Sequence, residues 1–143
     1  MADRYAIVVA RFYAEVAERL VAGARAVFES DGHAVDVHDV PGAFELPLAA
    51  SYAADSGRYR GIACLGVVIR GETDHYEYVC AEAARGILDV GLRSGVPCSF
   101  GVLTVATMEQ ALARAGGTKR DQGAHAADAV IALAELRDKL KSG

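Results

Sequence analysis

The segment IACLGVVI, from Ile62 to Ile69, is apolar throughout and is followed directly by the polar cluster RGETDHY, from Arg70 to Tyr76. An uninterrupted apolar run of this length predicts a strand that is covered on both faces, at the centre of a parallel sheet. A helical pattern begins within the polar cluster and continues to about Arg93. The cluster is therefore predicted to lie where a buried strand ends and a helix begins.

Strand and helix patterns alternate along the whole chain. Strands are predicted at residues 5–10, 35–40, 62–69 and 99–105. Helices are predicted at residues 15–30, 45–55 and 74–93, from Thr107, and over a last segment that buries Ala127, Val130, Ile131 and Ala134 and leaves its charged tail, Arg137 to Lys141, in water. We predict an α/β fold, a three-layer α-β-α sandwich with a four-stranded parallel sheet in the flavodoxin-like order 2-1-3-4. The length favours one domain over residues 1–143.

The composition limits the classes of partner. The chain has a formal net charge of −4 and scattered basic residues, so neither nucleic acid nor an anionic membrane surface is an expected partner. No apolar run reaches the roughly 18 residues that span a bilayer, and the first residues lack a signal-peptide core. These features predict a cytoplasmic protein with small-molecule partners. The three cysteines, which lack CxxC spacing, are predicted to be reduced core residues, with a catalytic thiol as the less favoured alternative: Cys64, Cys80 and Cys98.

Ligands of parallel α/β sheets bind beyond the carboxyl ends of the strands. Four loops are predicted to lie there: residues 11–13, 41–45, 70–75 and 104–107. Two of them carry aromatic rings, one a carboxylate and one a histidine, which suits a flat polar heterocycle with a hydroxylated tail. Gly71 lets a ligand approach the backbone, and the helix start after it offers free N–H groups to an anion such as phosphate. His75, in the first helical turn, suits a group that passes protons.

Each candidate side chain also has an interpretation without a ligand. An aromatic ring is more often part of a core, an acid or cation is often only solvated, and a polar residue at a helix start is often a cap. The candidates with such alternatives are Phe12, Phe44, Glu45, Thr73, Asp74, His75 and Arg114. Three further histidines are predicted to be solvated: His33, His38 and His125. These considerations favour a small-molecule enzyme only modestly over a ligand-binding module.

Several segments, taken together, resemble the 6,7-dimethyl-8-ribityllumazine synthase family. They are ARFY (10–13), VPGAFELP (40–47), LGVVIRGETDHYEYV (65–79), FGVLT (100–104), EQALARAG (109–116) and QGAHAADA (122–129). The resemblance covers nearly the whole chain, and the PGAFE and GVVIRGET-x-H segments in this order are specific in combination.

The resemblance implies the penultimate step of riboflavin synthesis, in which 5-amino-6-(D-ribitylamino)uracil condenses with 3,4-dihydroxy-2-butanone 4-phosphate and releases phosphate and water. No metal or organic cofactor is implied. His75 matches the proton donor of the family. The pyrimidine and ribityl positions are matched by Phe12, Ala43, Phe44, Glu45, Val67, Val68, Ile69 and Phe100, the last from a neighbouring subunit. The phosphate positions are matched by Gly71, Glu72, Thr73 and Arg114.

The chain departs from the family pattern at several positions. Tyr13 stands where asparagine or histidine is frequent, and His125 stands where an acid is common. Gln122 stands where a lysine commonly completes the phosphate site, and a neutral amide cannot supply positive charge. Either phosphate is held less firmly, or nearby Lys119 or Arg120 compensates. Gln122 also motivates a rival hypothesis, a catalytically weak or silent relative that binds flavins or ribityl pyrimidines or acts as a shell protein.

The resemblance also implies assembly. Family members form homopentamers, and some assemble twelve pentamers into an icosahedral 60-subunit shell. Only a few residues precede the first predicted strand, which favours a free pentamer over the shell.

Overall fold

The computed structural model describes residues 4–142, which form a three-layer α-β-α sandwich. Its strands are β1 (Arg4–Ala10), β2 (Ala34–Val40), β3 (Ile62–Ile69) and β4 (Cys98–Val105). Its helices are α1 (Ala14–Ser30), α2 (Leu46–Asp55), α3 (His75–Ser94), α4 (Met108–Arg114) and α5 (Gln122–Ser142), with a 3-10 turn at Ala43–Glu45. All strand pairs are parallel and the order is β2-β1-β3-β4, so the predicted fold class is confirmed. The segment on which the expectation of a free pentamer rests, residues 1–3, lies outside the described residues.

The two central strands are those with the most apolar sequences. β1 is buried from Tyr5 to Ala10, and β3 is buried from Ile62 to Val68. Both are covered by helices on each face, which is why their sequences do not alternate between apolar and polar residues. The placement of the IACLGVVI strand at the centre of the sheet is confirmed.

Each face of the sheet has its own apolar core. On one face, α1, α4 and α5 bury side chains such as Leu20, Ala111 and Val130. On the other face, α2 and α3 bury Leu46 and Ile87 among others. The sheet thus separates α3 from α4 and α5. Side chains on these two sets of helices therefore lie on opposite faces of the sheet within one chain.

The cysteines belong to the second core, as predicted. Cys64 is fully buried, Cys80 and Cys98 pack at the edge of the same cluster, and all three are free thiols. Burial raises the pKa of each thiol, to about 11 for Cys98. A thiol that stays protonated at neutral pH is a poor nucleophile, so the catalytic-thiol alternative loses its basis.

The ends of the helices follow from local sequence. Thr107 caps α4, because its Oγ1 accepts a hydrogen bond from the N–H of Gln110 at 3.1 Å. Gly95 ends α3 in the left-handed region at φ 75°, which glycine adopts without strain. Pro47 lies in the first turn of α2, where its missing N–H costs nothing.

Two solvation predictions are wrong in part. Arg137 is half-buried and donates to the carbonyl oxygens of Gly95 at 2.8 Å and Arg60 at 3.4 Å, although the rest of the α5 tail is exposed as predicted. The ring of His33 packs edge-on against Tyr5, with 4.8 Å between centroids. His38 is exposed, as predicted, and its Nε2 also lies 2.8 Å from the Tyr59 hydroxyl. His125 is exposed, as expected.

No helix within residues 4–142 combines the length and the apolar character that a membrane crossing requires.

A close approach of α1 and α5 makes Gly123 sensitive to substitution. A Cβ atom at this position would lie 2.0 Å from the carbonyl oxygen of Leu20, a backbone atom that cannot rotate away. Gly123→Ala is therefore expected to lower the free energy of unfolding by about 1–3 kcal/mol, measured by urea denaturation.

Gly71→Ala is the matched control, because a Cβ at Gly71 meets no atom within 4 Å. Equal stability losses in the two variants would contradict the predicted clash.

Candidate functional site

A cavity of about 670 Å³ opens at the carboxyl edge of the sheet. It lies where the strand order reverses, since β2 is on one side of β1 and β3 is on the other, and such a crevice is the usual ligand site of an open parallel sheet. Its lining residues are Phe12, Tyr13, Gly42, Ala43, Phe44, Glu45, Val67, Val68, Ile69, His75, Tyr78 and Val79. Three of the four loops expected at this rim therefore contribute to one cavity.

Two aromatic rings stand exposed at the cavity. Phe12 follows β1 and is 75% exposed, and Phe44, in the 3-10 turn, is 60% exposed. The interpretation of these rings as core residues is therefore wrong. Exposed ring faces beside a cavity can stack on a flat heterocycle, and the burial gained would favour binding.

Arg11 holds the loop that carries Phe12. Its Nε donates to Asp39 at 2.7 Å and its Nη1 to Glu18, while its backbone N–H donates to Val40 at 2.9 Å. The hydrogen bond to Asp39 is the main cause that raises the pKa of Arg11. The loop is thus tied to both β2 and α1, so its ring is presented from a fixed backbone.

The two carboxylate oxygens of Glu45 differ in their hydrogen bonds. Its Oε1 accepts a hydrogen bond from the N–H of Gly42 at 2.9 Å, which steadies the turn. The side chain is exposed to the cavity, and among the described residues its Oε2 has no hydrogen-bond donor. A carboxylate in this position can accept from ligand hydroxyl groups.

The backbone of β3 offers a polar edge to the cavity. Pairing between β1 and β3 ends at Val9 opposite Leu65, whereas pairing between β3 and β4 continues to Ile69. The segment Val67–Ile69 therefore lacks a strand partner on the side of β1. Free backbone N–H and C=O groups on that side are available for the donor and acceptor edge of a heterocycle.

The loop before α3 exposes backbone amides. Residues 71–74 are exposed, and within the described chain no backbone hydrogen bond uses the N–H groups of Gly71, Glu72 or Thr73. Asp74 holds the N-cap position but its side chain makes no capping bond, and Thr73 Oγ1 lies a long 3.4 Å from the N–H of His75. These donors, together with the positive end of α3, can receive an anion.

Arg70, which precedes this loop, contacts two residues that follow it. Its Nη1 lies 2.6 Å from Glu77 Oε1 and its guanidinium stacks over the Tyr76 ring, 4.4 Å from the centroid. The hydrogen bond from Arg70 lowers the pKa of Glu77. Because Arg70 precedes the loop and both partners follow it, the contacts hold the two ends of the loop together.

His75 is the first residue of α3 and reaches the cavity with an exposed ring. Tyr78 and Val79, one turn later, also line the cavity and were not among the expected site residues. The missed signal was helical spacing, since residues three and four positions apart share one face of a helix.

Several expected site residues do not line this cavity. Gly71, Glu72 and Thr73 adjoin it, directly before His75. Phe100, 36% exposed, pairs in register with Cys64, well before the carboxyl end of β4. Arg114 ends α4, whose buried residues belong to the core on the opposite side of the sheet from α3. One chain therefore does not bring these two side chains to its own His75.

Among residues 4–142, no three His, Cys, Asp or Glu side chains are grouped so that they could hold a metal ion.

Comparison with known proteins shows which family the chain is similar to. Residues 2–138 match the family model described as 6,7-dimethyl-8-ribityllumazine synthase. The protein of that name from Erythrobacter litoralis is 48% identical over 95% of this chain and 96% of its own length. Its namesakes from Desulfatibacillum aliphaticivorans and Sphingopyxis alaskensis are 45% and 46% identical, each over 96% of this chain and over 91% and 96% of their own lengths.

Proposed function

The chain belongs to the 6,7-dimethyl-8-ribityllumazine synthase family, and we propose that the cavity at the carboxyl edge of the sheet is its active site. The chain is accordingly a transferase of riboflavin biosynthesis that condenses 5-amino-6-(D-ribitylamino)uracil with 3,4-dihydroxy-2-butanone 4-phosphate. The observation that carries the site assignment is the convergence of exposed rings, an unpaired strand edge and a helix start on one cavity.

The ribityl pyrimidine occupies the part of the cavity between β1, β3 and the 3-10 turn. Phe12 stacks on the pyrimidine, whose polar edge bonds to the unpaired backbone of Val67–Ile69. Ala43 and Phe44 line the ribityl chain, and the free oxygen of Glu45 accepts from its hydroxyl groups. Apolar faces and a few placed polar groups are the usual means of recognising such a ligand.

The phosphate of the second substrate lies at the start of α3. The free amides of Gly71, Glu72 and Thr73 donate to its oxygens, and the helix dipole favours its charge. Glu72 contributes through its backbone alone, because its carboxylate would repel the anion. Arg114 pairs with the phosphate from a neighbouring subunit, because in its own chain it lies across the sheet from α3.

The reaction needs alignment and proton transfer more than a strong nucleophile. The pyrimidine amine attacks the ketone and forms an imine with loss of water, and phosphate leaves. The ribityl-bearing nitrogen then attacks the remaining carbonyl and closes the second ring with loss of a second water. Holding both substrates in one cavity supplies much of the acceleration through proximity. His75, between the phosphate loop and the cavity, donates and accepts the protons.

We propose a homopentamer as the working assembly. Its support is the separation of Phe100 and Arg114 from the cavity of their own chain, together with an apolar groove of about 490 Å³ between α3 and α5. The exposed leucines of that groove are Leu88, Leu92, Leu133, Leu136 and Leu140. Exposed apolar surface of this kind is typical of protein interfaces.

Two broader proposals complete the description. Residues 1–143 act as one domain, for which the family match over residues 2–138 is the support. The enzyme works in the cytoplasm, for which the support is that its three cysteines are free, as is usual in a reducing compartment.

The activity is tested by incubating the purified protein with both substrates and following lumazine absorbance and fluorescence against the uncatalysed reaction. Turnover well above that background is expected. A background rate, with binding of a ribityl pyrimidine retained, would favour the catalytically silent binder or shell protein.

Glu45→Gln is expected to raise the KM for the ribityl pyrimidine by about 5–10-fold, because an amide accepts weaker hydrogen bonds from hydroxyl groups than a carboxylate does. Its carbonyl oxygen can still accept from Gly42, so the turn is kept. Steady-state kinetics with each substrate varied in turn provide the measurement, and the KM for the phosphate substrate serves as the internal control. A rise confined to the phosphate substrate would refute the ribityl role.

A further inference from the structure

The cations of this chain divide into two groups. Every arginine from Arg4 to Arg93 forms an ion pair with a carboxylate. Arg114 and Arg120 form none within the described residues, and neither does Lys119 between them. One group of unpaired cations within residues 4–142 therefore lies around the connection between α4 and α5, and the others, Arg137, Lys139 and Lys141, lie at the end of α5.

The backbone of this connection places Arg120 beside Arg114. The N–H groups of Lys119 and Arg120 both donate to the carbonyl oxygen of Ala113, at 2.8 and 3.3 Å. The carbonyl of Arg120 in turn accepts from the N–H of Gly116 at 3.0 Å. The loop is thus folded back on the last turn of α4, and its cations stand on a fixed backbone rather than on a free segment.

Side-chain contacts orient Arg120 further. Its Nη1 donates to Gln122 Oε1 at 3.1 Å, and no other partner among residues 4–142 uses its remaining guanidinium donors. The neighbouring acid, Asp121, accepts from the N–H of Ala124 at 3.1 Å and forms no ion pair with Arg120. A neutral amide therefore positions the guanidinium without neutralising its charge.

We propose that Arg120 is a second phosphate-binding side chain, which acts beside Arg114 on the phosphate ester of the substrate, and that Gln122 is the residue that positions it. This inference rests on the proposed function, which places Arg114 at the phosphate. A guanidinium matches two phosphate oxygens at once, and fixing it before binding lowers the entropy cost of binding. Arg120 thus supplies the positive charge that the Gln122 amide lacks.

Arg120→Gln is expected to raise both the KM for the phosphate substrate and the inhibition constant of inorganic phosphate by about 5–10-fold. The KM for the ribityl pyrimidine should not change. Arg120→Lys keeps the positive charge but loses the planar pair of donors. Both constants are therefore expected to rise by only about 2–3-fold, which is half the effect of Arg120→Gln on a logarithmic scale. Arg19→Gln is the control, since it removes the same charge from an exposed pair with Glu15 on α1.

The role of Gln122 is tested by a double-mutant cycle. Gln122→Ala is expected to raise the KM for the phosphate substrate by about 2–3-fold, and to add nothing in the Arg120→Gln background, because its effect passes through Arg120. Additive effects would show that Gln122 contacts the phosphate itself and would overturn its positioning role. Unchanged constants in Arg120→Gln would overturn the whole inference.

Direct binding separates this inference from the proposed function. Calorimetric titration of the assembled protein with inorganic phosphate requires no turnover. Weaker phosphate binding by Arg120→Gln than by Arg19→Gln would support the inference even if the wild-type protein showed only background condensation. Equal phosphate binding by the two variants would reject it even if the wild-type protein were fully active.

Discussion

His75→Ala is expected to lower kcat by about 10²-fold while the KM of each substrate changes by less than about 3-fold. The ring reaches the cavity from the first turn of α3, next to the exposed loop 71–74, where the proposed mechanism exchanges protons with the reacting groups. Turnover should remain above the uncatalysed rate, because the cavity still aligns the two substrates and proximity does not require the imidazole.

The measurement is steady-state lumazine formation by the variant and by a matched control. His125→Ala is that control, since it removes an exposed histidine on α5 that does not line the cavity. A variant that loses substrate affinity but keeps its kcat would show that His75 binds substrate and does not transfer protons.

Arg114→Ala is expected to raise the KM for the phosphate substrate by about 30–100-fold with little change in kcat, because the loss of a charge-assisted bond to a phosphate dianion weakens binding. In the described chain Arg114 has no carboxylate partner, and its Nη1 donates only to the Gln110 carbonyl at 3.1 Å. Its charge is therefore available to a ligand. Arg93→Ala is the control, because Arg93 is an exposed arginine already paired with Asp89.

Mixed assemblies test where Arg114 acts. Since Arg114 lies across the sheet from α3, it is expected to serve the site of a neighbouring subunit. Refolding His75→Ala and Arg114→Ala chains together should then create some intact sites. A site is intact where His75 comes from an Arg114→Ala subunit and Arg114 comes from a His75→Ala neighbour. If the two chains mix randomly, about a quarter of the sites meet this condition. Activity of the mixture equal to the average of the two variants would exclude sharing.

Local sequence was sufficient to predict most of the fold. The apolar run at 62–69 forms the central strand because no exposed strand would carry eight apolar residues in succession, and Thr107 begins α4 because its hydroxyl caps the first turn. Such signals act within a few residues of the chain, so their spacing can be recognised without knowledge of distant contacts. The same reasoning places the polar loops at one edge of the sheet.

Contacts between distant segments escaped this reasoning. The exposure of Phe12 and Phe44 depends on which loops meet around the cavity, and the burial of Arg137 depends on carbonyl groups more than forty residues away. Tyr78 is different, because its helical spacing from His75 was visible in the sequence and was overlooked.

By itself the sequence determined the strands, the helices, their parallel order and the family, because periodicity, caps and motifs are written in neighbouring residues. Only the tertiary structure decided that the backbone of Val67–Ile69 is left unpaired beside the cavity and that Arg114 lies on the far side of the sheet from His75. It also decided that Arg120 stands beside Arg114 with Gln122 as its partner. The reason is that packing in three dimensions sets where the pairing of two strands ends, on which face of the sheet a helix packs and where a loop folds back. The spacing of residues along the chain does not contain this information.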